Sequence, residues 1–270
     1  MGNAARRWSL RTVSIVSLVI LFTVITATSA FADASGQPGG ITKEAEDMHQ
    51  LYLLVLAMAL VVFVIVEAAL VFVILRYRKK SDQLPEQTHG NNVLEVVWTS
   101  IPIIIVLILF VFSFVTLTKV DKEAKPENLT VDVQGFQFQW QFTYRQNDLG
   151  PGSDPKATGE VVILGTGKDE PTLVIPVNEP VEFRLHSNDV IHSFYVRDFL
   201  YKLDVVPGRD NSFKVTAKEI GTFDGQCAEL CGINHSLMRF HLKVVERADF
   251  DKFIADQSAG SKKAAAATGK

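Results

Sequence analysis

The distribution of apolar residues divides the chain into two parts. Three long apolar runs lie before residue 120, and beyond about residue 127 apolar and polar residues alternate in short segments. Runs of roughly 20 apolar residues predict membrane-spanning helices, whereas strict alternation predicts strands with one buried face. The pattern therefore predicts an N-terminal membrane region followed by a β domain.

The second and third apolar runs predict a transmembrane helical hairpin over residues 51–120. Each run, at about 51–75 and 97–118, is long enough to cross a bilayer as a helix. Glu67 lies deep in the first of them, where an ionisable group is costly and usually faces protein. We therefore expect Glu67 to contact the other helix or a partner membrane subunit.

The orientation of the hairpin follows from the charges between its helices. The predicted loop at 76–92 carries four basic residues in its first five positions, namely Arg76, Arg78, Lys79 and Lys80. Positive charge concentrates in cytoplasmic loops, so this loop is expected to be cytoplasmic. The exported segment 33–50 and everything after residue 120 are then expected outside.

The first apolar run has the features of a secretory signal peptide. It covers only residues 12–27, basic residues precede it, and Ala30-Phe31-Ala32 follows it with the spacing of a cleavage site. We expect residues 1–32 to be removed, which predicts the same orientation independently. The alternative is a third membrane helix that is retained.

The remainder of the chain predicts an all-β domain over residues 121–248. In FQFQWQFTYR, apolar and polar positions alternate, so Phe136, Phe138, Trp140, Phe142 and Tyr144 would share one face of a strand. Further short candidates (NLTVDVQ, EVVIL, TLVIP, PVEFRLHS, SFKVTA and RFHLKVVE) are separated by Pro and Gly. Many short strands with turn residues predict a sandwich or barrel. Residues 249–270 are expected to be a disordered low-complexity tail.

Both cysteines of the chain lie in one stretch, CAELCGINHSLM at residues 227–238. Two cysteines in an exported domain often form a disulfide. Here, however, His235 and Met238 follow Cys231 at once, and Cys, His and Met are together the ligands of copper electron-transfer sites. Zinc is a weaker candidate, because it does not favour a Met ligand.

A copper site requires a second histidine from elsewhere in the chain. His192 is the leading candidate, since it follows a predicted strand. His186 and His241 compete, but both lie inside predicted strands and are expected to be structural, and His49 and His89 precede the domain.

Two thiolates allow two copper ions to share bridging sulfurs. One ion would take His192 and Met238, and the other would take His235 and a backbone carbonyl near Glu229. Such a closed ligand set suits one-electron transfer and leaves no open position for substrate.

The net charge of −3 gives no indication of nucleic-acid binding.

The stretch GQCAELCGINHSLM resembles the dinuclear copper A motif of subunit II of haem-copper cytochrome c oxidases, and the resemblance extends over about residues 50–246. It implies an N-terminal transmembrane α-hairpin followed by an all-β cupredoxin-like Greek-key sandwich, anchored in the cell membrane with the sandwich outside. It also implies two copper ions as cofactors. The copper ligands implied by position are His192, Cys227, Cys231, His235, Met238 and the carbonyl of Glu229.

The resemblance implies further roles at the boundary with subunit I. The carboxylate of Glu229 would bind magnesium there, Asp204 and Arg209 would contact subunit I, and Glu95 would lie at the cytoplasmic mouth of a proton pathway of subunit I. Subunits I and III are the implied membrane partners.

The family pattern G-x-x-W-x-W departs at one position. This chain has Gly135 and Trp140 at its ends, but Phe138 replaces the Trp at which electrons from cytochrome c enter. Phenylalanine can still pack against a donor but lacks the indole N–H. The alternatives to a soluble cytochrome c are therefore a membrane-held cytochrome, a copper protein or a donor fixed in a larger complex. Electron transfer through Phe138 and Trp140 is what the resemblance implies.

The resulting functional hypothesis is an electron-accepting subunit of a respiratory oxidase that reduces oxygen to water and moves protons. The absence of C-x-x-C-H disfavours a fused cytochrome, and the retained copper ligands disfavour a quinol oxidase. The alternatives are a membrane-anchored assembly protein with a disulfide, and a copper-binding carrier.

Overall fold

A computed structural model describes residues 39–79, 87, 89–122, 124–125, 128–145, 148–150, 160–166 and 169–268 of the 270-residue chain. The predicted signal peptide at residues 1–32 lies outside the described residues.

Two long helices, α1 (Lys43–Arg76) and α2 (Asn92–Val120), form the predicted hairpin. Their first turns are capped by the side chains of Thr42 and Asn91, which accept hydrogen bonds from backbone amides. Each helix is long and apolar enough to span a bilayer, and none of the residues in its most apolar window is buried. A core helix of a soluble protein would be largely covered, so this exposure fits helices that face lipid or a membrane partner.

The chain after the hairpin forms a two-layer β-sandwich. Its strands are β1 (Leu129–Phe136), β2 (Gln139–Tyr144), β3 (Val161–Leu164), β4 (Thr172–Pro176), β5 (Pro180–Ser187), β6 (His192–Val196), β7 (Tyr201–Val205), β8 (Asn211–Thr216), β9 (Gly221–Cys227) and β10 (Arg239–Val245). One sheet has the order β3-β2-β1-β5-β8 and the other β4-β10-β9-β6-β7. The β1–β5 and β4–β10 pairs are parallel, and the remaining pairs are antiparallel.

An aromatic cluster fills the space between the two sheets. Trp140, Phe183, Phe194 and Phe240 are fully buried. The rings of Phe194 and Phe240 stack at 4.9 Å, and Trp140 meets both edge-on at 5.8 and 5.7 Å. Such aromatic pairs add stabilisation beyond the burial of their area. This cluster lies directly beneath the strands that carry the candidate metal ligands.

The prediction of one continuous strand through FQFQWQFTYR is wrong. β1 ends at Phe136, Gln137 and Phe138 form a turn, and β2 begins at Gln139. The backbone amide of Gln137 donates to the carboxylate of Asp189 at 2.6 Å instead of to a strand partner. Phe138 therefore lies at a turn and not on the buried face of a strand. The sequence patterns also missed β6, β7 and β9.

The prediction of disorder from residue 249 is also wrong. The helix α3 covers Arg247–Thr268, and Phe250 and Ile254 on its first turns are buried against the sandwich. Arg247 pairs with Glu179 at 2.8 Å. These apolar contacts and the ion pair hold the start of the helix against the sandwich. The low-complexity composition gave no sign of this helix.

The segment before α1 joins the hairpin to the sandwich. The amide of Ile41 donates to a carbonyl of the sandwich, and its own carbonyl accepts from the amide of Lys218 at 2.7 Å. The buried carboxylate of Glu44 accepts from the amide of Thr216 at 2.9 Å and pairs with Lys214 at 3.1 Å. These bonds fix the start of α1 against the edge strand β8.

Candidate metal centre

The candidate ligands converge at one end of the second sheet. His192 begins β6 and Cys227 ends the neighbouring strand β9, where the register pairs Cys227 with Phe194, two residues beyond His192. The following segment at residues 227–238, here called the ligand loop, carries Cys231 and ends in a 3₁₀ turn at His235–Leu237 before Met238. A folded sheet thus positions two ligands, and one loop supplies the rest.

The two cysteines are free thiols whose sulfur atoms lie 3.9 Å apart. A disulfide would require about 2.05 Å, so the two sulfurs are not bonded to each other. Their separation allows both sulfurs to contact the same metal ions.

The other donor atoms surround the sulfur pair. The Nδ1 atom of His192 is 3.9 Å from the Cys227 sulfur, and the backbone carbonyl of Glu229 is 3.3 Å from it. The Nδ1 atom of His235 and the Sδ atom of Met238 lie 3.6 and 3.9 Å from the Cys231 sulfur. Thiolate, imidazole and thioether are the donors that copper electron-transfer sites use, so the residues fit a copper centre.

Most of the donors are shielded from water. His192 is fully buried, and Met238, Cys227 and Cys231 are exposed by 4% or less. His235 is half-buried and forms the outer side of the cluster. The ligand atoms of His192, Cys227 and Cys231 all lie within 4.8 Å of one another. Among the described residues, this is the one group of three or more His, Cys, Asp or Glu side chains arranged so closely.

Asp189 is a functional residue that the sequence analysis missed. Its Oδ1 atom is 2.8 Å from Nε2 of His192. A carboxylate on the outer nitrogen of a metal-binding histidine fixes the ring and leaves the other nitrogen free for the metal. The signal available in the sequence was the spacing Asp-x-x-His in NDVIH, which becomes informative only when the turn before β6 is known.

The hydrogen bonds around Asp189 alter the ionisation of both partners. Burial alone would raise the pKa of Asp189, but hydrogen bonds from the amide of Gln137, from His192 and from the amide of Val190 lower it. Burial would also lower the pKa of His192, whereas its bonds to Cys227 and Asp189 raise it.

The two thiols have different acidities. Burial would raise the pKa of Cys227, but hydrogen bonds with His192 and with backbone groups outweigh it and lower the pKa to about 6. Burial raises the pKa of Cys231, and the adjacent negative charge on Cys227 raises it further, to about 12. The Cys227 sulfur therefore ionises more readily, and its negative charge opposes ionisation of Cys231.

Gly135 and Trp140 pack closely against His192. A Cβ on Gly135 would lie 3.2 Å from the ring of His192, so glycine lets the imidazole pack on β1. Trp140 lies next to His192, with ring centroids 6.2 Å apart, and its indole N–H donates to the carbonyl of Met238 at 3.4 Å. Trp140 thus supports ligands from both β6 and the ligand loop.

The competing histidines lie elsewhere and have carboxylate partners. His186 is 2.9 Å from Asp210, and His241 lies 3.2 Å from both Asp224 and Glu170. Both are in strands, β5 and β10, as expected. Neither belongs to the sulfur cluster.

The remaining candidate residues are exposed. Glu95 is in the first turn of α2 and accepts a hydrogen bond from the amide of Asn91 at 3.3 Å. Asp204 and Arg209 lie on β7 and in the turn after it. The backbone carbonyl of Glu229 points at Cys227, while the residue as a whole is exposed.

The outer surface of the ligand loop is strongly apolar. Leu230, Ile233 and Leu237 are 79%, 92% and 69% exposed. Phe138 is only half-buried and lies under the backbone of Gly232, where an added Cβ would be 2.9 Å from its ring. Exposed apolar clusters of this kind mark surfaces that bind other proteins.

Comparisons with known proteins bear on this site. A family model described as cytochrome c oxidase subunit II, periplasmic domain, matches residues 129–245, and one described as cytochrome c oxidase subunit II, transmembrane domain, matches residues 26–116.

Individual relatives carry related names. The chain is 40% identical over 213 residues to cytochrome c oxidase subunit 2 of Alkalihalophilus pseudofirmus, covering 76% of this chain but only 56% of that relative. It is 34% identical over 249 residues to a probable cytochrome c oxidase subunit 2 of Streptomyces avermitilis, covering 82% of this chain and 78% of the relative. Among solved structures, the periplasmic domain of subunit II of cytochrome oxidase (CoxB) of Bradyrhizobium japonicum aligns at 29% identity and a TM-score of 0.41, covering 51% of this chain and 99% of that domain.

Proposed function

Because this chain belongs to the cytochrome c oxidase subunit II family, we propose that it is the electron-accepting subunit of a membrane-bound haem-copper oxidase. The observation that carries the proposal is the convergence of two free sulfurs, two imidazoles, a thioether and a carbonyl on one buried point. Copper held there would supply one-electron transfer from an external donor to haem in the partner subunit.

The residues of this chain act by holding the ligands in place. Cys227, Cys231, His192, His235, Met238 and the carbonyl of Glu229 would hold the copper. Asp189 orients His192, and Trp140 supports the ligand loop from below. A cluster so enclosed leaves no position for substrate, which favours electron transfer over chemistry at the metal.

The apolar outer face of the ligand loop is the proposed docking surface for the electron donor. Leu230, Ile233 and Leu237 are exposed apolar side chains on the loop that carries the two sulfurs. Phe138 lies at its edge, and Trp140 follows at the buried side. The donor is cytochrome c or another small redox protein with an apolar rim around its cofactor.

The other roles concern the membrane partner. We propose that subunit I contacts Asp204 and Arg209, that the carboxylate of Glu229 shares a magnesium ion with it, and that Glu95 receives protons at the cytoplasmic surface. Subunit I would carry out oxygen reduction and proton translocation, with subunit III in the same assembly. The hairpin lies in the cell membrane with the sandwich outside.

Replacement of single histidines in the assembled oxidase tests the proposal. His235→Asn should remove copper and the fast oxidation of the donor in stopped-flow measurements, while haem content stays unchanged. His186→Asn is the matched control, because its side chain bonds Asp210 away from the cluster and should leave both properties intact. Equal effects of the two substitutions, or an unaltered copper content in His235→Asn, would refute the assignment.

A second substitution tests where electrons enter. Phe138→Trp should change the rate of donor oxidation without changing copper content, since the ring lies at the edge of the docking surface. An unchanged rate would place the contact point on the apolar side chains of the ligand loop alone.

A further inference from the structure

The turn between β1 and β2 is hydrogen-bonded to both segments that carry metal ligands. The backbone amide of Gln137 donates to Asp189, whose other oxygen holds His192. The side-chain amide of the same Gln137 donates to the carbonyl of Cys231 at 2.6 Å. One residue therefore connects the segment before β6 with the ligand loop.

Close packing reinforces these hydrogen bonds. Gly232 has a φ of +136°, a conformation that favours glycine, and its missing side chain leaves room for the turn. A Cβ there would lie 2.9 Å from the Phe138 ring and 3.0 Å from the side-chain nitrogen of Gln137. The turn packs directly against the backbone of Cys231 and Gly232.

The ligand loop depends on such external contacts. It contains little regular structure beyond its short 3₁₀ turn, so its backbone is not held by a strand ladder. Its ends are fixed by the hydrogen bond between the amide of Cys227 and the carbonyl of Met238, and by that from the amide of Ala228 to the carbonyl of Ser193. At Cys231, in the middle of the loop, the described bond to another element comes from Gln137.

We infer that Gln137 is a positioning residue of the copper centre, which holds the Cys231 backbone and the Asp189–His192 pair in register across the sulfur cluster. This inference rests on the proposed function. It also connects donor binding to the metal ligands, because the turn that carries Gln137 also carries Phe138 at the edge of the proposed docking surface. Contact of a donor with this turn would then act directly on the geometry of two ligands.

The test uses the full-length chain, purified in detergent and loaded with copper. Gln137→Ala removes the side-chain donor, and Gln137→Glu removes it while preserving size. Gln141→Ala is the matched control: it lies on the same hairpin, but its amide bonds Gln134 and Thr143 on the polar face.

Both Gln137 variants should release copper to a chelator about tenfold faster than the wild type, the effect expected of one lost hydrogen bond. They should also alter the copper hyperfine pattern in electron paramagnetic resonance and the reduction potential. In the copper-free chain, Cys231 should react faster with a thiol reagent, because its loop is released. Gln141→Ala should match the wild type in every measurement.

The outcomes separate the inference from the proposed function. If the wild type binds two copper ions but both Gln137 variants behave like it, the positioning role is refuted and the copper assignment stands. If Gln137→Ala is altered while Gln137→Glu is normal, the side chain acts by packing and the hydrogen-bond role is refuted. If the wild-type chain binds no copper, both fail. Gln137 is exposed, so near-ultraviolet circular dichroism should show a native sandwich in both variants.

Discussion

The junction between the membrane hairpin and the sandwich should depend on one buried carboxylate. The side chain of Glu44 is 9% exposed and pairs with Lys214, which is 15% exposed. Two residues further along, Glu46 pairs with Lys218 at 2.7 Å, but these side chains are 59% and 41% exposed. The same chemical change at the two positions therefore compares a buried ion pair with an exposed one.

The expected effects differ because burial decides the strength of an ion pair. Removing one member of a fully buried pair costs about 3–5 kcal/mol, because the partner keeps an uncompensated charge. Glu44→Gln retains an acceptor for the amide of Thr216, and Lys214 keeps some contact with water. We therefore expect this substitution to lower the free energy of local opening at the junction by about 2 kcal/mol. Exposed pairs contribute about 0–1 kcal/mol, so Glu46→Gln should cost less than about 1 kcal/mol.

Hydrogen exchange at the amide of Thr216 measures this difference directly, since that amide donates to Glu44. A loss of about 2 kcal/mol in local opening corresponds to about 30-fold faster exchange. Glu46→Gln should accelerate exchange by less than about fivefold. Equal acceleration in the two variants, or protected exchange in Glu44→Gln, would show that the buried pair does not hold the hairpin against β8.

Three further predictions concern the metal centre and the membrane surface. In the copper-free chain, ultraviolet absorbance should show the Cys227 thiolate appearing as pH rises through about 6, while the Cys231 thiol is still protonated at neutral pH. Cys227→Ser should abolish the rise in absorbance near pH 6. Met238→Leu should preserve the fold, because Met238 is buried and leucine is similar in volume, yet it should shift the reduction potential measured by redox titration. Glu95→Gln should slow proton uptake in the assembled oxidase and leave the copper spectrum unchanged, and an unchanged rate would reduce Glu95 to a helix-capping residue.

The parts of the fold that follow from periodicity were predictable from the sequence. Long apolar runs identified both helices, and alternation identified β1, β5 and β10. The strand through FQFQWQFTYR was predicted too long, because the turn at Gln137 depends on Asp189, which is 52 residues away in the chain. α3 was missed because its anchors, Phe250, Phe253 and Ile254, are few apolar residues before a sequence of low complexity.

The candidate ligands were also predictable, since five of the six donors have distinctive side chains and four of these lie within the ligand loop. The support around them was not. Asp189 and Gln137 are common surface residue types. Asp189 bonds His192 only in the turn before β6, and Gln137 bonds Cys231 only when the β1–β2 turn folds onto the ligand loop. Glu67 lies in the apolar part of α1 and is exposed, so its contact with the other helix or a partner membrane subunit stays a prediction.

Electron paramagnetic resonance on the copper-loaded full-length chain, combined with elemental analysis of the same sample, tests most directly whether Cys227 and Cys231 hold two copper ions together. If they do, we expect two copper ions per chain and a hyperfine pattern from one unpaired electron shared equally by two copper nuclei. One copper per chain with the pattern of a single nucleus, or no copper with the two cysteines joined as a disulfide, would contradict it.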